Sequence, residues 1–254
     1  MAAYHMTVST AAQTRISETP GQLAHQAADW IVEQASKSGP QFALCLSGGE
    51  TPKRLYELLA TPTYQARIPW DRTHCFWGDE RVVPHDDPQS NYHMAWEALL
   101  RRVPIPAENI HAIPTDHVSP AAGAAAYATT LKRFYGADTL DSRRPLFDIM
   151  LLGLGEDGHT ASLFPGSPTL AETERWVVPV VGETPPDRIT LTYPVLASSR
   201  VTAFLVAGES KREALARVRA DDPALPASRA QSAGDVYWFV DRAAAATLAH
   251  SSAK

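Results

Sequence analysis

At 254 residues, with 44% hydrophobic and 20% charged side chains, the chain is long enough to bury a sizeable core as one large α/β unit or two small ones. A formal net charge of −5 and the absence of a Lys/Arg block argue against nucleic acid as a partner, and there is no run of about 18 apolar residues to span a bilayer. The first residues, MAAYHMTVSTAAQTRISETP, do not place a basic stretch before an apolar one, so no secretory signal is read and the expected location is the cytoplasm.

In chain order, residues 1–19 read as a peripheral N-terminal segment. Short apolar or β-branched runs predict strands at 41–46 (QFALCL), 74–78 (HCFWG), 147–153 (FDIMLLG), 188–193 (RITLTY), 201–208 (VTAFLVAG) and 236–240 (VYWFV). Several intervals between them carry helical spacing. Thr51 offers a capping hydroxyl before Pro52, and Leu55, Leu58 and Leu59 follow on one helical face. Asn91 is the expected cap of YHMAWEALLRR, and Ser119-Pro120 opens an Ala-rich helix that stops at Gly136. The alanines at 243–246 express helix propensity, and residues 136–146 form a loop. No internal repeat is visible. The alternation predicts a mostly parallel sheet with helices on both faces, a three-layer, open doubly wound, Rossmann-like α/β fold forming a single domain over 1–254. The two cysteines, Cys45 and Cys75, fall inside strand-like segments and read as reduced packing residues.

Three stretches have the residue types for chemistry. In LSGGETPKRLYELLA (46–60) a strand ends in Ser47, Gly48 and Gly49 and a helix begins at Thr51-Pro52. Backbone N–H groups and a positive helix end can then converge on an anion, which makes a phosphate-sized cradle; a ligand-free Gly-rich turn is the plain alternative. Neither a Walker A loop nor G-x-G-x-x-G can be written here, and Glu50 is expected to point outward. In FWGDERVVPHDDPQSNYH (76–93), Asp79, Glu80 and Arg81 follow a strand, where open α/β sheets gather ligands, although such a trio is also an ordinary solvated turn. The acids show no metal-binding spacing, so no metal is expected.

In LLGLGEDGHTASLFPG (151–166) glycines turn the chain off a strand and present His159 two residues after Asp157. Histidine suits a general base for water, and a carboxylate beside it would fix the ring; spacing alone leaves open whether the two touch. Arg188 opens RITLTY, and Lys211 lies in GESKREALARV in the expected first turn of a helix, where an anionic ligand would be a reason for a lysine. The nucleophile elbow G-x-S-x-G is missing, which argues against a serine esterase of the α/β-hydrolase kind.

Taken together, LSGGETPKRLYELL, FWGDERVVPHDDPQSNYHMAWEALL, FDIMLLGLGEDGHTASLFPGSP, GESKREAL, LPASRAQ and YWFVDRAAA stand in the order found in the 6-phosphogluconolactonases, and nearly the whole chain resembles that family. The wider superfamily includes glucosamine-6-phosphate deaminases/isomerases, in which the segment after the histidine reads like IAFNEP; TASLFPG here resembles the lactonase branch. The resemblance implies a hydrolase that opens 6-phospho-D-glucono-1,5-lactone in the oxidative pentose phosphate pathway, with a phosphosugar lactone as its partner and no metal or organic cofactor. It further implies that Ser47, Gly48, Gly49 and Thr51, with Arg188 or Lys211, hold the 6-phosphate. His159 would take a proton from water, Asp157 would orient His159, and Arg81 would hold substrate or offset charge on the carbonyl oxygen. Which of Arg81, Arg188 and Lys211 meets the phosphate stays open, as does the choice between a monomer and a small homo-oligomer. A sugar-phosphate deaminase of the same fold and a non-catalytic sugar-phosphate sensor are the competing functions.

Overall fold

The computed structural model describes residues 12–248. Its strands are β1 (Gln13–Ser17), β2 (Phe42–Leu46), β3 (Thr73–Trp77), β4 (Asp79–Arg81), β5 (Phe147–Leu152), β6 (Val177–Val180), β7 (Arg188–Leu191), β8 (Ser199–Val206) and β9 (Asp235–Asp241). The helices are α1 (Pro20–Lys37), α2 (Glu50–Leu59), α3 (Pro62–Gln65), α4 (Asn91–Ala98), α5 (Pro120–Tyr135), α6 (Tyr193–Ala197), α7 (Arg212–Arg219) and α8 (Arg242–Ala245).

Six strands form a parallel sheet in the order β1-β9-β8-β5-β2-β3. Side chains alternate across a strand, yet all five residues of β2 are buried, so both faces of the sheet are covered. Helix α1 packs against β1, β5, β9 and α2, while α8 packs against β1, β9 and α7. Trp30, Phe42, Phe76, Trp77, Phe147, Phe204 and Phe239 are the largest apolar side chains sealed in the resulting core. The predicted fold class holds. The order in which strands are added reverses between β2 and β5: β3 lies outside β2, whereas β8 and β9 lead away on the other side. Ligands of open α/β sheets bind at such a switch point, outside the carboxyl ends of the strands.

Some expectations change. The segment 188–193 was expected in the parallel sheet, but β7 is the centre of a separate antiparallel sheet, β4-β7-β6. Periodicity within a segment reports that it is extended and says nothing of its partner, and β4 and β6 are too short to announce themselves. Within the N-terminal segment read as peripheral, Gln13–Ser17 forms the edge strand β1; residues 1–11 lie outside the described residues. Helix α1 starts at an unread hydroxyl-proline signal, where Thr19 Oγ1 accepts a hydrogen bond from the Gln22 N–H at 3.2 Å and Pro20 fills the first turn.

Other expectations stand. Ser119 caps α5, which ends at Gly136 in the left-handed conformation. Cys45 and Cys75 are free and buried, and burial pushes the Cys75 thiol up to about 12. No helix among the described residues is long and apolar enough to cross a membrane.

Candidate active site

The first wall of the site is the turn between β2 and α2. The buried Tyr56 folds back from α2 and holds the strand end at both polar atoms: its hydroxyl donates to the Ser47 carbonyl and accepts from the Ser47 N–H, each at 2.9 Å. Thr51 is not the helix cap. Helix α2 starts one residue earlier, at Glu50, with Gly49 at the cap position and φ of 103°, a conformation that glycine adopts without strain. Thr51 therefore sits inside the first turn, and its hydroxyl has no hydrogen-bond partner among the described residues. The unpaired N–H groups of that turn and the positive helix end face the same space. The Glu50 side chain is 76% exposed and lies 4.0 Å from Lys53 Nζ, and the residue also borders the cavity.

The second wall is the turn after β5. The Gly155 N–H donates to the His159 carbonyl at 2.9 Å, and Thr160 Oγ1 donates to the Gly153 carbonyl at 2.9 Å. The Asp157 carboxylate accepts the His159 backbone N–H at 3.0 Å and lies 2.6 Å from Nδ1 of the same residue. A Cβ on Gly155 would stand 2.1 Å from His159 Nδ1, so only glycine leaves the ring where it is. Phe164 packs on the ring with centroids 4.8 Å apart. Burial pushes the Asp157 carboxyl up, but the His159 N–H, the charge of the ring and its hydrogen bond together hold it below the usual value. An ionised carboxylate only accepts, so Nδ1 carries the shared proton; in the neutral ring the lone pair is then on Nε2, which has no partner among the described residues.

Cations close the rest. Arg81 on β4 and Arg188 on β7 stand directly opposite each other in the antiparallel register. Arg81 Nη1 donates to the Gln89 carbonyl at 2.6 Å, while its buried Nε has no partner. Arg188 Nε donates to Thr184 Oγ1 at 3.2 Å, and the guanidinium lies 5.6 Å from the Phe164 ring centroid. Neither arginine has an ion-pair partner within salt-bridge distance among the described residues. Like charges opposite one another in a sheet repel, and an anion between them relieves that. Burial lowers the Arg188 pKa, Asp79 opposes the shift and the charge of Arg81 adds to it. Lys211 belongs not to a helical first turn but to the 3-10 turn Glu209–Lys211 just before α7, following β8. Its side chain is 27% exposed and its Nζ lies 4.0 Å from Glu156 Oε1.

These parts enclose a cavity of about 340 Å³ at the switch point. Ser47, Gly48, Gly49, Thr51, Arg81, His159, Arg188 and Lys211 all line it, and Asp157 reaches it through His159. Asp79, one of the acids read as a candidate beside the strand end, also lines it, and so does Asn91, which the sequence offered only as a helix cap. Asn91 is not the cap of α4. Ser90 is, its Oγ accepting from the His93 N–H at 3.1 Å, and Asn91 Nδ2 instead donates to the Asp79 carbonyl at 3.0 Å. Serine and asparagine both cap well, so adjacent candidates are separated only by the tertiary partner each finds. Glu80 does not line the cavity: it accepts the N–H groups of Asn91 and Tyr92, both at 2.7 Å, and of Arg81 at 2.7 Å. Among the described residues no cluster of three or more His, Cys, Asp and Glu is placed to hold a metal.

A parallel α/β sheet thus sets a glycine-rich strand-to-helix turn, a carboxylate-held histidine and three cationic side chains around one switch-point cavity. Residues 18–238 match the family model described as glucosamine-6-phosphate isomerases/6-phosphogluconolactonase, and the chain belongs to that family. A 6-phosphogluconolactonase of Nostoc sp. is 44% identical over 220 residues, which cover 85% of this chain and 89% of that protein. The solved 6-phosphogluconolactonase of Trypanosoma cruzi is 32% identical with a TM-score of 0.81, covering 96% of this chain and 99% of that one. The solved 6-phosphogluconolactonase of Thermotoga maritima is 28% identical with a TM-score of 0.78, covering 91% and 99%.

Proposed function

We propose that the chain hydrolyses 6-phospho-D-glucono-1,5-lactone to 6-phosphogluconate, a reaction of the oxidative pentose phosphate pathway. The 2.6 Å contact between His159 Nδ1 and Asp157 Oδ1 carries the mechanism, because it leaves Nε2 as a base at the cavity wall. Relatives at 36–44% identity that bear the name 6-phosphogluconolactonase support the reaction.

The phosphate end of the substrate lies against Gly48, Gly49 and Thr51, with Ser47 at the end of the strand and with Arg188 and Lys211 supplying positive charge. The lactone carbonyl then faces His159. Nε2 takes a proton from water as the water oxygen bonds to C1, and Asp157 stabilises the imidazolium that forms. Arg81 offsets the charge that develops on the carbonyl oxygen. The C1–O5 bond breaks next, the imidazolium returns its proton to O5, and the ring opens to the acid. A strained six-membered lactone needs only modest help, and one positioned base is worth about 10²–10⁴-fold.

The test follows acid release at constant pH from freshly generated lactone, with wild type, His159→Ala and buffer alone. Acceleration that disappears in the variant supports the reading. Wild type no faster than buffer overturns it.

A further inference from the structure

The cavity is lined by a buried acidic side chain, Asp79, that an anionic ligand does not explain. Asp79 lies on β4, only 7% exposed, and lines the same wall as Arg81. A carboxylate there weakens the attraction of a phosphorylated substrate, so its presence calls for a compensating contact. Its Oδ2 accepts a hydrogen bond from the buried Ser162 hydroxyl at 2.6 Å. Its Oδ1 has only a long 3.5 Å contact from Asn91 Nδ2, which makes its better bond to the Asp79 backbone carbonyl. An ionised carboxylate has roughly four acceptor sites, so acceptor capacity is left over beside the cavity. No cation lies within ion-pair distance of it among the described residues, although the Arg188 charge is felt there.

The anchoring ties Asp79 to the turn that carries His159. Ser162 is three residues beyond His159 on the same turn, and its own N–H donates to Thr190 Oγ1 at 3.2 Å; Thr190 is the register partner of Asp79. Asp79 is therefore tied to the segment that carries His159, and both residues line the same cavity.

We propose that Asp79 is a specificity-determining residue whose Oδ1 accepts a hydrogen bond from the hydroxyl at C2 of the lactone, the one adjacent to the carbonyl. The inference rests on the lactonase reading above. A hydrogen bond to a charged acceptor in a buried site separates a substrate from its deoxy analogue by roughly 10- to 100-fold. The alternative role, a strut that only holds Ser162, affects both substrates alike.

The experiment measures kcat/KM for 6-phosphogluconolactone and for its 2-deoxy analogue, each divided by its rate in buffer, with wild type, Asp79→Ala and Asp79→Asn. The expected result is a wild-type preference for the hydroxylated lactone of about tenfold or more, reduced to within about threefold in Asp79→Ala and weakened in Asp79→Asn. Asp79→Asn keeps the shape and an oxygen for Ser162, and decides the matter if the alanine variant does not fold. A preference that survives in the variants while both rates fall together overturns the proposal and leaves the strut. Equal wild-type rates on the two lactones overturn it as well. Wild type without activity on the hydroxylated lactone is a distinct result, which overturns the lactonase reading itself.

Discussion

The Asp157 carboxylate holds His159 at two points, its backbone N–H at 3.0 Å and its ring Nδ1 at 2.6 Å. One oxygen thus sets both the turn of the chain and the tautomer of the ring. In Asp157→Asn the side-chain amide occupies the same space without the charge that favours the imidazolium. We expect kcat to fall with little change in KM, to a value between those of wild type and His159→Ala. His159→Ala is expected to lose roughly 10²–10⁴-fold in kcat while keeping the wild-type circular dichroism spectrum. Near-normal kcat in His159→Ala removes the histidine from the chemistry.

Among the described residues the ion-pair partner of Lys211 is Glu156, at 4.0 Å, and Lys211 lines the cavity together with Arg81 and Arg188. If it holds phosphate, Lys211→Ala raises KM roughly tenfold or more with a smaller effect on kcat. The same substitution weakens the rise in Tm that inorganic phosphate gives the wild-type protein. An unchanged KM together with an unchanged phosphate effect returns Lys211 to an ordinary partly exposed lysine.

Gly48 touches Asn91 so closely that a Cβ there would lie 1.9 Å from Asn91 Oδ1. Gly48→Ala should therefore destabilise the fold by about 1–3 kcal/mol and raise KM by distorting the cradle. Asn91→Ala makes room, so the double variant should be more stable than the sum of the single effects predicts. Urea unfolding of the four proteins measures the coupling, and simple additivity would falsify the contact as the cause.

A pair of histidines away from the cavity makes stability depend on pH. His74 Nδ1 lies 3.1 Å from His111 Nε2, and His111 is stacked on Phe76 with ring centroids 4.4 Å apart. Burial, followed by the charge of His74, lowers the His111 pKa from 6.5 to about 4. The unfolded chain then binds a proton on this residue before the folded one does. The stabilising contribution is complete above the unfolded value of 6.5 and is lost as pH falls toward about 4. His111→Phe keeps an aromatic ring against Phe76 and Phe134, and we expect it to flatten the fall in unfolding free energy between pH 7.5 and about pH 5. Equal slopes for the two proteins over that range rule out His111 as the source.

Much was legible in the chain itself because it depends on neighbours in sequence. The runs QFALCL and FDIMLLG declare buried strands, since a stretch apolar on both alternating faces must be covered on both. Ser119-Pro120 and Gly136 mark the two ends of α5, because capping is a local hydrogen-bond and backbone matter. The glycines around Ser47 and His159 mark tight turns after strands, and every residue named from those turns lies at or one contact from the cavity. Tertiary structure alone decided the rest. RITLTY is extended in either sheet, and only its pairing with Asp79–Arg81 sets Arg188 against Arg81. Asn91 and Glu80 look like a cap and a solvated acid until the strand before them folds against α4, where Asn91 binds the Asp79 carbonyl and Glu80 gathers three backbone N–H groups. Asp79 and Ser162 are 83 residues apart, and no local pattern relates them. Spacing reports what a residue does to its own backbone; which charges and hydroxyls face each other across a cavity is fixed by the packing of segments far apart in the chain.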